Sequence, residues 1–205
     1  MKEIKYECTK YILEKGDLDD GNGIAALAIE NYREYNDIYL DYVIENFTDI
    51  LKMIGFSDIK VYYSGFYSQG DGASFEGDLD VDEITIKNIK EALEYIGEDI
   101  ELKKLLTDLY KTTCDIQGLK LRITKNGNYQ HEMTMDIDVM EYDKNEYKNK
   151  EIYHKAGEIL TICRYLAKWL YDKLEKSYEY QDSDEYIFQL LVNNEYELNE
   201  KGEII

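Results

Sequence analysis

The feature that most constrains the fold is a stripe of apolar side chains between Glu151 and Lys176. Its members recur every three or four residues: Ile152, Ala156, Ile159, Leu160, Cys163, Leu166, Ala167, Leu170 and Leu174. This spacing predicts one amphipathic helix whose apolar face is buried. At about 1.5 Å of rise per residue, that helix is roughly 40 Å long, so the remaining elements have to pack along it.

The strongest signal for a sheet lies in residues 119–139. Leu119 to Thr124 is typical of a strand, and Asn126-Gly127-Asn128 supplies the positive φ angles of a tight hairpin turn. The following arm, Tyr129 to Val139, alternates apolar and polar residues. Its alternation predicts that four side chains face the core: Met133, Met135, Ile137 and Val139.

Periodicity also predicts further helices and two more strands. We expect the strands near Asp58–Tyr63 and Ala73–Gly77, and we expect the last helix to begin at a capping box, Asp182 to Glu185, and to end near Tyr196. The other helices are predicted at Gly23–Tyr35, with Ile24, Leu27, Ala28 and Tyr32 inward, and at Ile38–Ile54, Ile84–Ile96 and Ile100–Thr113.

Together these elements predict an α+β fold. A small antiparallel sheet of about four strands, including the hairpin 119–139, packs against several helices, with a long C-terminal helix over 151–176. A chain of 205 residues and 24.2 kDa fits a single domain over 1–205.

The chain is strongly acidic, with a net charge of −20. Phosphates and anionic lipids repel such a chain, so composition argues against direct binding of nucleic acid or membranes. The charge is local, because residues 17–58 carry −8 and residues 71–101 carry −9. A hydrophobic fraction of 44% indicates that these acids lie on a folded protein.

Metal and cofactor signatures are weak. Cys8, Cys114 and Cys163 are far apart and form no CxxC pair, which favours reduced thiols and a cytoplasmic location. The segment Asp17 to Gly23 fits no register of an EF-hand loop, so we interpret Asp20 to Gly23 as a turn that caps the following helix. His131, expected on a strand, and His154 lie in no metal-binding or catalytic pattern. We therefore expect no cofactor and no metal, and we assign no catalytic residue.

One segment differs from the rest of the chain, namely the glycine-rich stretch from Ser64 to Gly77. It contains four glycines and three serines between two predicted strands, but it lacks the spacing of a nucleotide-binding loop. Two interpretations remain open. In the first, Phe66 and Phe75 anchor a structural turn in which Gln69, Asp71 and Ser74 bond to the loop's own backbone. In the second, the loop is a binding site formed by Ser64, Phe66, Tyr67, Gln69, Gly70, Asp71, Gly72 and Ser74.

This stretch resembles a known family of small bacteriophage and mobile-element proteins whose shared core reads SGF(W/Y)SQGDGASFxG. Residues 64–77 carry that core complete, as SGFYSQGDGASFEG. Similar family patterns occur at Ala28 to Arg33, at Ile54-Gly55-Phe56 and at Tyr178 to Glu185. Some members are labelled as the antitoxin of a toxin–antitoxin stability system, and the resemblance implies no catalytic residue.

The resemblance and the acidity together favour a non-enzymatic protein. We expect it to bind and inhibit or modulate a host or defence protein, with its carboxylates mimicking nucleic acid toward a basic groove. Two alternatives remain open: neutralisation of a cognate toxin, and a small-ligand or enzymatic site at loop 64–77.

Overall fold

The computed structural model describes residues 9–18, 23–143 and 149–205, and it confirms the predicted α+β class. The capping turn predicted at Asp20 to Asn22, and Cys8, lie outside the described residues. The helices are α1 (Gly23–Tyr35), α2 (Asp41–Met53), α3 (Ile86–Tyr95), α4 (Ile100–Thr113), α5 (Asn149–Asp182) and α6 (Asp184–Asn193). The strands are β1 (Phe56–Ser64), β2 (Gly72–Asp80), β3 (Lys120–Lys125) and β4 (Met135–Glu141).

The chain forms two compact units. One comprises Met1–Leu40 with Lys176–Ile205, and the other is Asp41–Glu175, so α5 supplies residues to both. In the first unit, α1 and α6 share a core with two segments near the ends of the chain: Leu13, Ala25, Ala28, Ile29, Ile187, Phe188, Leu191 and Leu198. The single domain over 1–205 stays a prediction.

The second unit contains the whole sheet, in which β1, β2, β3 and β4 are antiparallel neighbours in that order. Ser64 pairs with Gly72 at one end of the sheet, and Lys125 pairs with Met135 at the same end. The β1–β2 loop and the β3–β4 connection therefore emerge side by side.

One face of the sheet is the core of this unit. Phe75 of β2 lies edge to face with Phe47 of α2, with ring centroids 5.6 Å apart, and Phe47 in turn stacks at 6.1 Å on Trp169 of α5. Offset and edge-to-face ring pairs stabilise a core beyond their buried area. The long helix is thereby fixed beneath the strands, as its apolar stripe predicts.

A carboxylate fixes α4 to α5. Asp99 caps α4 by accepting a hydrogen bond from the backbone N–H of Leu102 at 2.9 Å. Its other oxygen accepts from the Trp169 indole at 3.2 Å and from the Lys173 ammonium at 2.7 Å. Burial alone would raise the pKa of this carboxyl, but the hydrogen bonds from Lys173, Leu102 and Trp169 hold it below its usual value.

The second arm of the predicted hairpin is shorter than expected. Residues 129–134 are not a strand: Glu132–Thr134 is a 3-10 turn that His131 caps, and Met133 is 64% exposed instead of buried. Gly127 does adopt a positive φ of +82°, but the connection runs from 126 to 134 instead of forming a tight turn. The reason is tertiary, because this segment crosses the outward face of β2.

Two details of the first unit also differ from expectation. The buried face of α1 carries Ala25, Ala28 and Ile29, whereas Leu27 is 42% exposed. The cap of α6 is Ser183, whose Oγ accepts from the N–H of Tyr186, instead of Asp182. Asp182 ends α5, and its carboxylate pairs with the guanidinium of Arg33 at 3.1 Å, so it is not available as a cap.

Candidate functional site

The β1–β2 loop is closed by one side chain. Oδ2 of Asp71 accepts hydrogen bonds from the backbone N–H of Ser68 at 2.6 Å and of Tyr67 at 3.0 Å, and the N–H of Asp71 donates to the Ser68 carbonyl at 3.1 Å. A carboxylate that accepts two N–H groups holds a short loop in one conformation. Asp71 therefore bonds to the loop's own backbone, as the first interpretation expects.

A second contact ties the same loop to α5. The rings of Phe66 and Tyr171 lie 5.6 Å apart, and the Tyr171 hydroxyl donates to the Gly65 carbonyl at 3.1 Å. Burial raises the pKa of Tyr171, with smaller contributions from the carboxylates of Glu175 and Asp71, so the hydroxyl keeps the proton that it donates. Phe66 is half-buried here, while Phe75 is fully buried in the core.

Two glycines allow the β3–β4 connection to lie directly on this loop. Gly70 has a φ of +100°, and a Cβ added there would lie 3.2 Å from Cδ1 of the Tyr129 ring. A Cβ added at Gly72 would lie 3.0 Å from Cα of His131. These close approaches explain why the two positions carry glycine.

The β3–β4 connection has its own internal bonds. Nδ1 of His131 accepts from the N–H of Met133 at 3.2 Å and lies 3.0 Å from a carboxylate oxygen of Glu132. The Thr134 hydroxyl donates to the His131 carbonyl at 2.7 Å. Hydrogen bonds within the segment therefore hold it in a defined turn.

A shallow hollow lies where the two segments meet. It has a volume of about 390 Å³ and is lined by Gln69, Gly70, Tyr129, His131, Met133 and Thr134. Tyr129 is 67% exposed, and Met133 is 64% exposed. Exposed aromatic and methionine side chains around a concave surface are typical of binding sites.

Buried polar atoms lie in the same region. Ser74, on β2, is fully buried, and its hydroxyl has no hydrogen-bond partner in the part of the chain that the structure describes. Oε1 of Gln130 is likewise buried there without a partner. The expectation that Ser74 bonds to the loop's own backbone is therefore wrong. Each such group costs about 1–3 kcal/mol.

The outward face of the sheet carries charged and polar side chains. Arg122 of β3 forms a two-bond ion pair with Asp78 of β2, at 2.7 and 2.8 Å, and its hydrogen bond lowers the pKa of Asp78. Lys120 pairs with Glu141 at 3.2 Å. The Tyr62 hydroxyl donates to Glu76 at 2.7 Å.

Acids outnumber bases on this face, which we call the acidic face. Lys60 of β1 lies on this face opposite Glu76. After Asp78 and Glu141 are paired, four further aspartates lie on or beside the face: Asp58, Asp80, Asp136 and Asp138. Asp136 and Asp138 are exposed on β4. The pKa of Arg122 is raised, first by its hydrogen bond to Asp78 and further by the negative charges of Asp58 and Asp138. These carboxylates therefore lie close enough to interact with the same guanidinium.

The eight residues predicted as one binding site have different roles in the structure. Gln69 and Gly70 line the hollow, and Tyr67 is 76% exposed on the loop. Phe66, Asp71 and Gly72 support the loop, Ser64 ends β1 opposite Gly72, and Ser74 is buried. Four lining residues were missed: Tyr129, His131, Met133 and Thr134. One sequence signal could have predicted them: in a four-stranded antiparallel sheet, the β1–β2 loop and the β3–β4 connection lie at the same end.

Among the described residues, no three His, Cys, Asp or Glu side chains are arranged to hold a metal ion. None of the described helices is long and apolar enough to cross a membrane.

These observations define an α+β protein with one helix-covered and one acidic sheet face. A family profile described as Domain of unknown function (DUF8835) matches residues 39–184, and the chain belongs to this family. The hollow and the acidic face both lie within the matched residues. No curated protein and no solved structure matches the chain.

Proposed function

We propose that the protein is a non-enzymatic binding protein that docks through its acidic face on a basic, nucleic-acid-handling protein of a bacterial host and inhibits or modulates it. The observation that supports this proposal is the surplus of carboxylates on the face of the sheet opposite the helices. The proposal includes an origin of the protein in a phage or a mobile element. A cognate toxin with a basic surface is one partner that would fit the acidic face.

The geometry suits recognition of a basic groove. Asp136 and Asp138 are two residues apart on one face of β4, so their Cα atoms are about 7 Å apart. Strand β3, with Lys120 and Arg122, separates these carboxylates from those of β2. The strands hold them rigidly, because the other face of the sheet is packed on Phe47 and Trp169. A groove built for phosphates would meet a fixed pattern of negative charge and be steered toward it.

Capture from a bacterial lysate tests the proposal when three proteins are compared. The first is the wild type, and the second is Asp136→Asn combined with Asp138→Asn on the acidic face. The matched control is Glu94→Gln combined with Glu98→Gln, because it neutralises two exposed acids away from that face. We expect the wild type and the control to retain a basic protein at low salt and to release it at about 500 mM salt.

The sheet variant should fail to retain that protein at either salt concentration. A partner that all three proteins retain equally at high salt would contradict the proposal. Added competitor DNA should displace the partner if the acidic face occupies its nucleic-acid groove.

A further inference from the structure

We propose that the hollow between the two loops binds the guanidinium group of an arginine side chain supplied by the basic partner. This inference rests on the proposed function, because it names the chemical group that anchors the same interface. The hollow and the acidic face are continuous: Thr134, which lines the hollow, is followed directly by β4 with its exposed Asp136.

The surroundings of the hollow favour a cation. Its six lining residues include no lysine or arginine. Glu132 lies 3.0 Å from the His131 imidazole, and Asp136 follows two residues after Thr134.

The lining favours guanidinium over ammonium. Tyr129 lines the hollow and is 67% exposed, so much of its aromatic ring is accessible to a ligand. A guanidinium is planar, is weakly hydrated and stacks on aromatic faces, whereas an ammonium is compact and strongly hydrated. Met133 supplies a thioether that packs against such a flat group.

Acceptor atoms complete the site. The Thr134 hydroxyl donates to the His131 carbonyl, so its lone pairs remain able to accept. Gln69, which also lines the hollow, carries an amide oxygen. Several divergent N–H donors of one guanidinium can satisfy both acceptors, whereas the three clustered donors of an ammonium match them less well.

The inference is tested with two short peptides, one alternating arginine and glycine and the other alternating lysine and glycine. Affinities are measured by calorimetry at low salt, and the methyl signal of Met133 is followed by NMR. We expect the arginine peptide to bind about three- to fivefold more tightly than the lysine peptide. Only the arginine peptide should shift the Met133 signal.

Variants assign the effect to the hollow. Tyr129→Ala should reduce the affinity for the arginine peptide to that for the lysine peptide, and Tyr129→Phe, which keeps the ring, should retain the preference. Tyr153→Ala is the matched control, because Tyr153 is 61% exposed on α5 and lies outside the hollow. Circular dichroism verifies that each variant is folded.

The outcomes separate the two proposals. Equal affinity for both peptides, weakened in the Asp136→Asn, Asp138→Asn protein, would overturn the guanidinium site and leave the acidic docking face supported. Equal loss of affinity in Tyr129→Ala and Tyr153→Ala would also overturn it. No salt-dependent binding of either peptide would contradict both proposals.

Discussion

The backbone N–H of Ser68 donates to Oδ2 of Asp71 across 2.6 Å, and this bond closes the loop that presents Gln69 to the hollow. The same oxygen also accepts from Tyr67, so one atom holds two consecutive peptide groups. The glycine-rich motif therefore fixes the β1–β2 loop against the β3–β4 connection. The candidate binding surface is the hollow that these two segments form together.

Replacing Asp71 by alanine should destabilise the protein by about 1–3 kcal/mol, because two N–H groups lose their acceptor. Asp71→Asn keeps one acceptor oxygen and should lose less than half as much. Urea unfolding followed by circular dichroism measures both changes. Equal losses in the two variants would show that the charge, and not the acceptor, stabilises the loop.

Two glycine replacements should change stability in opposite directions. Gly70→Ala places a Cβ at a φ of +100° and 3.2 Å from the Tyr129 ring, so we expect a loss of about 1–2 kcal/mol. Gly157→Ala lies within α5, where an added Cβ meets nothing within 4 Å, and should stabilise by about 0.5–1 kcal/mol. Thermal unfolding of both variants tests the prediction, and a Gly70→Ala protein as stable as the wild type would contradict it.

The Asp99 cap should give a pH-dependent contribution to stability. Its folded pKa is lower than its unfolded value, so the contribution is complete above about pH 4 and is lost as the pH falls through the folded value. We expect Asp99→Ala to cost about 2–3 kcal/mol at neutral pH, because Trp169 and Lys173 lose their acceptor as well.

That difference from the wild type should shrink when urea unfolding is repeated near pH 2. Glu94→Ala, an exposed acid on α3, is the control and should change stability by less than about 0.5 kcal/mol. A loss in Asp99→Ala that is the same at both pH values would contradict the assigned role.

The cysteines should react at different rates. Cys163 is fully buried, and burial raises its pKa to about 12, whereas Cys114 is exposed. Since the thiolate is the reactive form, iodoacetamide should modify Cys114 in the folded protein and Cys163 only after unfolding. Peptide mass spectrometry identifies the modified residues. Rapid native labelling of Cys163 would show that α5 opens far more often than its packing suggests.

Much of the fold could be predicted from local pattern. The bounds of α1 and α4 agree with the prediction, and α5 extends the predicted 151–176 at both ends. These elements carry strong periodicity, and in α4 the cap is also local, since Asp99 bonds to Leu102. Ser183 follows the last residue of α5 and caps α6, whereas Asp182 pairs with Arg33. The sequence alone does not reveal which of these two neighbours is the cap.

The hollow could not be predicted in the same way. Residues 129–134 alternate as a strand would, but their conformation is decided by contact with Gly70 and Gly72, more than fifty residues earlier. The buried face of α1 was equally ambiguous, because an alanine-rich helix offers several similar faces. In both places a tertiary contact overrides the local pattern.

The association rate constant of the captured partner tests the acidic docking face most directly. It should be measured for the wild type, for Asp136→Asn with Asp138→Asn, and for the Glu94→Gln, Glu98→Gln control, at low and at high salt. We predict that the sheet variant associates about three- to tenfold more slowly at low salt, that the control matches the wild type within about twofold, and that all three rates converge at high salt. Equal rates for the sheet variant and the wild type at low salt, or equal slowing in the control, would contradict the proposed docking surface.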